Sequence, residues 1–347
     1  DKYGITHIHN GEYFNAGSSN VHGLVNAATC PDATFVRGLD SGDVIENWNP
    51  PEDVPIRETV DALTHFHWND SQWLPAYKGL YHFWSDDLSS AYYRKQADFL
   101  DVIRAHPPKQ LDGAVLAVDT AKKPHNYVMG DFCENYPYPI RGSVSMSQAH
   151  TLPEHMPVAL FLPRPVNANA FLDETPMSPA DENALWNLLD SDRDVILFGG
   201  AADPRLLTHF GLRLTKTVAF TPQTFSVGPT AMPWYDHAQL SACDGMAGRQ
   251  ETHFRKDYLK LTAPQAALVA DVQSPSGESL ALATAMKTAS GARRVFIGPI
   301  PENGMPQLTA KLFGNPLQTT SPLPNALSFF AWKDPDGNHI RGLIRYG

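Results

Sequence analysis

Three carboxylates stand where chemistry is most easily built: Glu12 in HNGEYFN, Asp40 closing ATFVRGLD, and Asp70 in THFHWND. Each follows a short run of β-branched and apolar residues that reads as a strand, and barrel enzymes place catalytic groups at the carboxyl ends of strands. A pair of carboxylates is the apparatus for cleaving a glycosidic bond. Retention needs the two groups about 5–5.5 Å apart, and inversion about 6.5–9.5 Å apart. Glu12 with Asp40 is the first pair to consider, and Asp70 is the third acid. Arg37, on the same strand as Asp40, could hold a carboxylate in its charged form. Around these acids lie groups suited to hydroxyls, namely His7, His9, Asn10, His65, His67 and Asn69, with Trp68 and Trp73 as flat faces for a sugar ring.

The histidines allow a second chemistry. THIH at 6–9 and THFH at 64–67 share the pattern Thr-His-apolar-His. Alternate residues of a strand project to one side, so each pair presents two imidazoles together. Two such pairs on neighbouring strands would form a four-nitrogen site for Zn²⁺, Mn²⁺ or Fe²⁺, completed by Glu12, Asp40 or Asp70. A bare His-x-His is a common pattern. ITHIHN lacks the strand-opening Asp of amidohydrolase barrels, and the cupin Glu comes later after the second His than Glu12 does. The carboxylate reading is therefore preferred, with no metal and no cofactor, and a metal-dependent hydrolase is the alternative.

The elements that would carry these groups alternate. GITHIHN, ATFVRGLD and ALTHFHW read as strands. SSNVHGLVNAA reads as a helix capped by Ser18 or Ser19, and NDSQWLPAYKGLYHFWSDD as an aromatic loop. A helix in SSAYYRKQADFLDVIRAH ends at Pro107-Pro108. Strands alternating with helices imply a parallel sheet or barrel. A second unit begins near QLDGAVLAVDT, with apolar strands at 114–118 and in MPVALFLPRP. In SPADENALWNLLDSDRDVILFGG, Ser178 caps, Pro179 takes the first helical position, and Asp181 completes a capping-box pattern before the strand DVILFGG. ALATAMKTASGARRVFIGPIP gives two strands joined at a Ser-Gly turn, and the tail a hairpin turning at Asp336-Gly337.

Composition narrows the partners. The 347 residues have a formal charge of −10, against nucleic acid and anionic membrane surfaces. No apolar run approaches the roughly 20 residues of a spanning helix. The 42% hydrophobic content and seven Trp supply a core, while low charge and 29 Pro suggest a loop-rich surface suited to saccharides. The three cysteines are far apart and make no disulfide framework or zinc motif. The start at Asp1, without Met, fits a mature secreted or periplasmic chain or a piece of something longer.

ENALWNLLDSDRDVILFGGAADPRLLTHFGLRL and SLALATAMKTASGARRVFIGPIP resemble the amidotransferase-like Rossmannoid domain that follows the (β/α)8 barrel in β-galactosidases with a trimerisation domain. The resemblance spans about 111–312. It implies that 1–110 are the last β/α units of a barrel, and that the second domain is structural or oligomerising, since VILFGGAAD lacks the G-x-C-x-G elbow of glutamine hydrolysis. The expected fold class is α/β: a barrel-like portion at 1–110, a flavodoxin- or amidotransferase-like Rossmannoid domain at 111–312, and a C-terminal β hairpin segment at 313–347. The expected function is hydrolysis of an oligo- or polysaccharide, with association into a homo-oligomer or with the remainder of a larger chain. The remaining reading is a non-catalytic assembly piece of such an enzyme.

Overall fold

The computed structural model describes residues 6–10, 16–40, 63–77, 79–83, 97–121, 140–161, 176–198, 204–215, 220, 222–234, 261–298, 300–314 and 327–345. The chain is mixed α/β, and its largest element is a parallel-rich sheet of 11 strands.

The first strands form a small sheet of their own. β1 (Thr6–Asn10) pairs in parallel with β2 (Thr34–Asp40) across helix α1 (Ala16–Thr29). The helix begins at Ala16, so Ser18 and Ser19 lie inside its first turn and not at its cap. Next come β3 (Phe66–Asn69), β4 (Gln72–Pro75) and β5 (Gly79–Phe83). β5 joins β2 in parallel, completing the order β1-β2-β5. The stretch expected as an aromatic loop is thus two strands and a turn. Asp70 and Ser71 carry φ of 47° and 63° between β3 and β4. Two left-handed central residues make a type I′ turn, whose twist matches paired antiparallel strands.

β3 belongs not to the small sheet but to the large one. After helix α2 (residues 97–105) follow β6 (Gln110–Leu111), β7 (Ala114–Val118), β8 (Ile140–Ser145), β9 (Val158–Phe161) and β10 (Val195–Phe198). α3 (Pro179–Asp190) precedes β10, and α4 (Pro204–His209) follows it. β11 (Arg213–Leu214), β12 (Thr224–Val227), β13 (Thr230–Pro233), β14 (Leu261–Thr262), β15 (Ala267–Gln273), β16 (Ser279–Lys287) and β17 (Arg293–Ile297) come next. The large sheet runs β13-β12-β15-β16-β17-β10-β9-β7-β8-β3-β4. Strands β8-β7-β9-β10-β17 are mutually parallel. Numbered along the chain these five stand in the order 2-1-3-4-5, as in flavodoxin-like sheets, and β3 adds a sixth parallel strand beside β8. β7, β9 and β10 are buried on both faces, which is why they are continuous apolar runs and not alternating ones.

Two connections cross the boundaries expected from sequence. β3 pairs with β8, tying residues before 110 to the large sheet. The tail hairpin of β18 (Leu327–Lys333) and β19 (His339–Arg345) adds β6 as its third strand. Trp332 is fully buried, donates its Nε1–H to the His106 carbonyl at 2.8 Å, and meets Phe66 edge-on at 5.9 Å. The expected turn is present, with Gly337 at φ 85°.

The amino-end side of the sheet is held by arginines that serve helix ends. Arg193 donates to the carbonyls of Pro153, Met156 and Leu152, just after a 3₁₀ turn at Met146–Thr151. Arg294 donates to Leu189 and Ser191 at the end of α3, and also to Arg193 and Arg293 carbonyls. Arg293 reaches the Leu312 carbonyl in α5 (Met305–Phe313). The last carbonyls of a helix have no internal partner and carry partial negative charge, so a guanidinium answers both needs. Loss of hydration lowers the pKa of Arg193 and Arg294, partly offset by Glu154 for the first and Asp194 for the second. Among the described residues no helix is long and apolar enough to cross a membrane.

Candidate functional site

The residues singled out by sequence fall into two groups on different sheets. His7, His9 and Asn10 lie on β1, and Arg37 and Asp40 on β2, with His9 opposite Arg37 and Asn10 opposite Gly38. Asp40 ends β2 opposite Phe83, the last residue of β5. Asp40 and Phe83 thus close β2 and β5 side by side, while Asn10, the last residue of β1, is level with Gly38, two positions earlier. Glu12 lies outside the described residues.

His65, His67, Trp68, Asn69, Asp70 and Trp73 belong to the β3–β4 hairpin at the edge of the large sheet. β1 has β2 as its partner, whereas β3 pairs with β4 and β8. The two His-x-His pairs are thus not on neighbouring strands, as a four-nitrogen site of that kind requires. Among the described residues no group of His, Cys, Asp and Glu is gathered as a metal would need. His65 and His67 are buried, at 0% and 3% exposure. Arg141 Nη1 lies 3.5 Å from Thr64 Oγ1 and 3.4 Å from His65 Nε2. A guanidinium has hydrogens to give and no lone pair to accept with, so His65 accepts on Nε2 and carries its hydrogen on Nδ1.

The indoles expected to stack on a sugar are core rings. Trp68 and Trp73 are each 7% exposed and pack edge to face at 5.0 Å, and Trp68 Nε1 donates to Thr151 Oγ1 at 2.9 Å. Gly142 makes room for Trp73, since a Cβ there would come 2.8 Å from the indole and 2.9 Å from Leu111. Asn69 is half-buried, and Asp70 is exposed in the type I′ turn. Asp70 and Asp40 therefore sit on separate sheets, and the hairpin is a packed edge and not an open platform.

A second place is defined by topology. In a 2-1-3-4-5 sheet the strand order reverses between the first and third strands, and ligands of this architecture bind outside their carboxyl ends. Here that switch point lies between β7 and β9. Asp119, immediately after β7, is buried and accepts Ala121 N–H at 3.0 Å. Beside it Asp181, at 1% exposure, accepts from Thr120 N (3.3 Å), Thr120 Oγ1 (3.0 Å) and Ser147 N (3.0 Å). Ser178 caps α3 as expected, its Oγ accepting Asp181 N–H at 3.1 Å. The carboxylate of Asp181, by contrast, leaves the helix it was expected to cap. It braces the loop after β7 against the start of the 3₁₀ turn after β8, where free N–H groups favour a negative charge. Sequence reasoning missed this brace and also Arg141, because each acts on residues far away in the chain.

No family model matches the chain, and no curated protein matches it. Among solved structures it is similar to Gan42B, a GH42 beta-galactosidase, with a TM-score of 0.46 and 9% identity over 90% of this chain and 58% of that one. It is similar also to a catalytic mutant of Gan42B from G. stearothermophilus, with a TM-score of 0.47 and 9% identity over the same shares. The chain spans 58% of the length of either structure. Both likenesses concern chain path alone and give no residue a role.

Proposed function

We propose that the chain is part of a carbohydrate-active hydrolase, with Glu12 and Asp40 as its carboxylate pair. The observation that supports this is the parallel register of β1, β2 and β5, whose carboxyl ends point the same way, with Asp40 level with Phe83 and Asn10 level with Gly38. Strands in such a sheet lie about 4.8 Å apart. Groups borne on adjacent tips can thus reach the roughly 5–9.5 Å separation that glycoside cleavage uses. Glu12 stands two positions past Asn10, and Asp40 two positions past Gly38, the partner of Asn10. In this reading Asn10, His7, His9 and Arg37 serve the same strand ends. The hairpin residues His65, His67, Trp68, Asn69, Asp70 and Trp73 have a packing role.

The flavodoxin-like sheet is the accessory body of this proposal, and the brace formed by Asp181 beside the switch point favours a structural duty for it. The test is hydrolysis of a panel of nitrophenyl glycosides by the chain and its variants. Glu12→Gln and Asp40→Asn should each lower kcat/KM by about a hundredfold or more, with unchanged circular dichroism. Full activity in both variants would remove the pair. A parent that binds saccharides but cleaves none would leave the assembly reading standing in its place.

A further inference from the structure

We infer that the β12–β13 hairpin is a flap that lifts off helix α5 while the central strands stay folded. The hairpin stands at one edge of the large sheet, with β13 outermost. Two register pairs, Ser226 with Asp271 and Val227 with Ala270, join it to β15, and Gly228 N–H adds a bond to the Val269 carbonyl at 2.8 Å.

Among the described residues it also meets α5 and the short 3₁₀ turn Glu302–Gly304 that leads into it. Asn303, Gln307 and Lys311 recur at four-residue spacing, so they share one side of this helical run. Asn303 Nδ2 donates to the Pro233 carbonyl at 3.3 Å, at the root of the hairpin. Lys311 places its ammonium against Gly228, at the hairpin's turn, where a Cβ would collide with it. From Asn303 to Lys311 a helix rises about 12 Å. Four residues of strand span about 13 Å. The stripe is therefore about as long as the hairpin's strands, and Gln307 lies midway between Asn303 and Lys311.

Three polar atoms on these segments are buried and unanswered. Asn303 Oδ1, Gln307 Oε1 and Trp234 Nε1 are all inaccessible and have no hydrogen-bond partner. Each such atom weighs the closed state down by roughly tenfold relative to one in which water can reach it. Holding the flap shut is an apolar contact. Phe225 is buried against Gly304, where any side chain would strike its ring, and it meets Trp234 edge-on at 5.9 Å. Burial of Phe225, Val227 and Trp234 favours closure, the three orphaned atoms oppose it, and the few bonds to β15 set the remaining margin. Opening exposes one side of α5 and costs none of the pairing among β16, β17 and β10.

Hydrogen exchange on the intact chain tests this. Amides of residues 224–233 should exchange about a hundredfold faster than those of β16. Edge position alone could produce part of that difference, so the deciding variant is Gln307→Leu. It removes one orphaned acceptor and adds apolar contact, and it should slow exchange in the hairpin about tenfold while leaving β16 unchanged. Gly304→Ala, which displaces Phe225, should speed it. Gln307→Met serves if the leucine variant folds poorly. A hairpin as protected as β16, or hairpin exchange indifferent to residue 307, would overturn the flap.

Discussion

Two buried carboxylates show how much one side chain can organise. Asp181 accepts three hydrogens from two other segments of chain, which lie 61 and 34 residues away. Asp181→Asn keeps the shape but turns a donor toward either Thr120 or Ser147, which bond to different oxygens of the carboxylate. It should cost about 1–3 kcal/mol in urea unfolding, as a buried donor loses its acceptor. Asp334 is the second case. Burial alone would raise its carboxyl, yet bonds from the Asn338 side chain, His106 and the amides of Asn338 and Asp336 outweigh it and bring the pKa from 3.8 down to about 2. A carboxyl that binds its proton less tightly folded than unfolded stabilises the fold fully above its unfolded value. That contribution fades as pH falls through the folded one. The stability difference between the parent and Asp334→Asn should therefore be constant near neutrality and shrink between about pH 4 and pH 2. A difference that stayed constant through that range would count against the carboxylate's role. At this scale the sequence was legible where partners are local, as with Ser178 and Asp181 N–H. It was silent on Asp181's carboxylate, whose partners no spacing rule reveals.

Among elements, the strands that read most clearly are those buried on both faces. The runs at 114–118, 158–161 and 195–198 contain little besides apolar residues, and all three are central. The β3–β4 hairpin was missed because its turn is Asp70-Ser71: Asp tolerates left-handed backbone, but Ser stands where glycine usually advertises a type I′ turn. What holds the elements in place is also testable. Arg294 gives hydrogens to four carbonyls and is 1% exposed. Arg294→Met should destabilise by about 3 kcal/mol, since those carbonyls stay buried without donors. Arg294→Lys should recover only part of this, because an ammonium cannot span the same fork of acceptors. Gly142→Val, which drives a side chain into Trp73 and Leu111, should cost about 1–3 kcal/mol by overpacking. Melting temperature measured beside urea midpoints would read both.

For the molecule as a whole, the sequence conveyed the α/β character and the parallel strands but not which strands share a sheet. Two His-x-His runs of nearly the same composition ended on separate sheets, because partner choice depends on α1 and β8, which local pattern does not encode. The same long reach governs the tail. Trp332 is bonded to His106, 226 residues earlier, and its ring covers Phe66. A ribosome delivers residue 66 long before residue 332, so the apolar surface around Phe66 must wait uncovered through most of synthesis. Nascent chains paused before residue 327 should therefore bind chaperones and be cut by protease near that surface. Addition of β18 and β19 would then be a late step of folding, and a lesion that removes them should leave that surface open to cellular quality control.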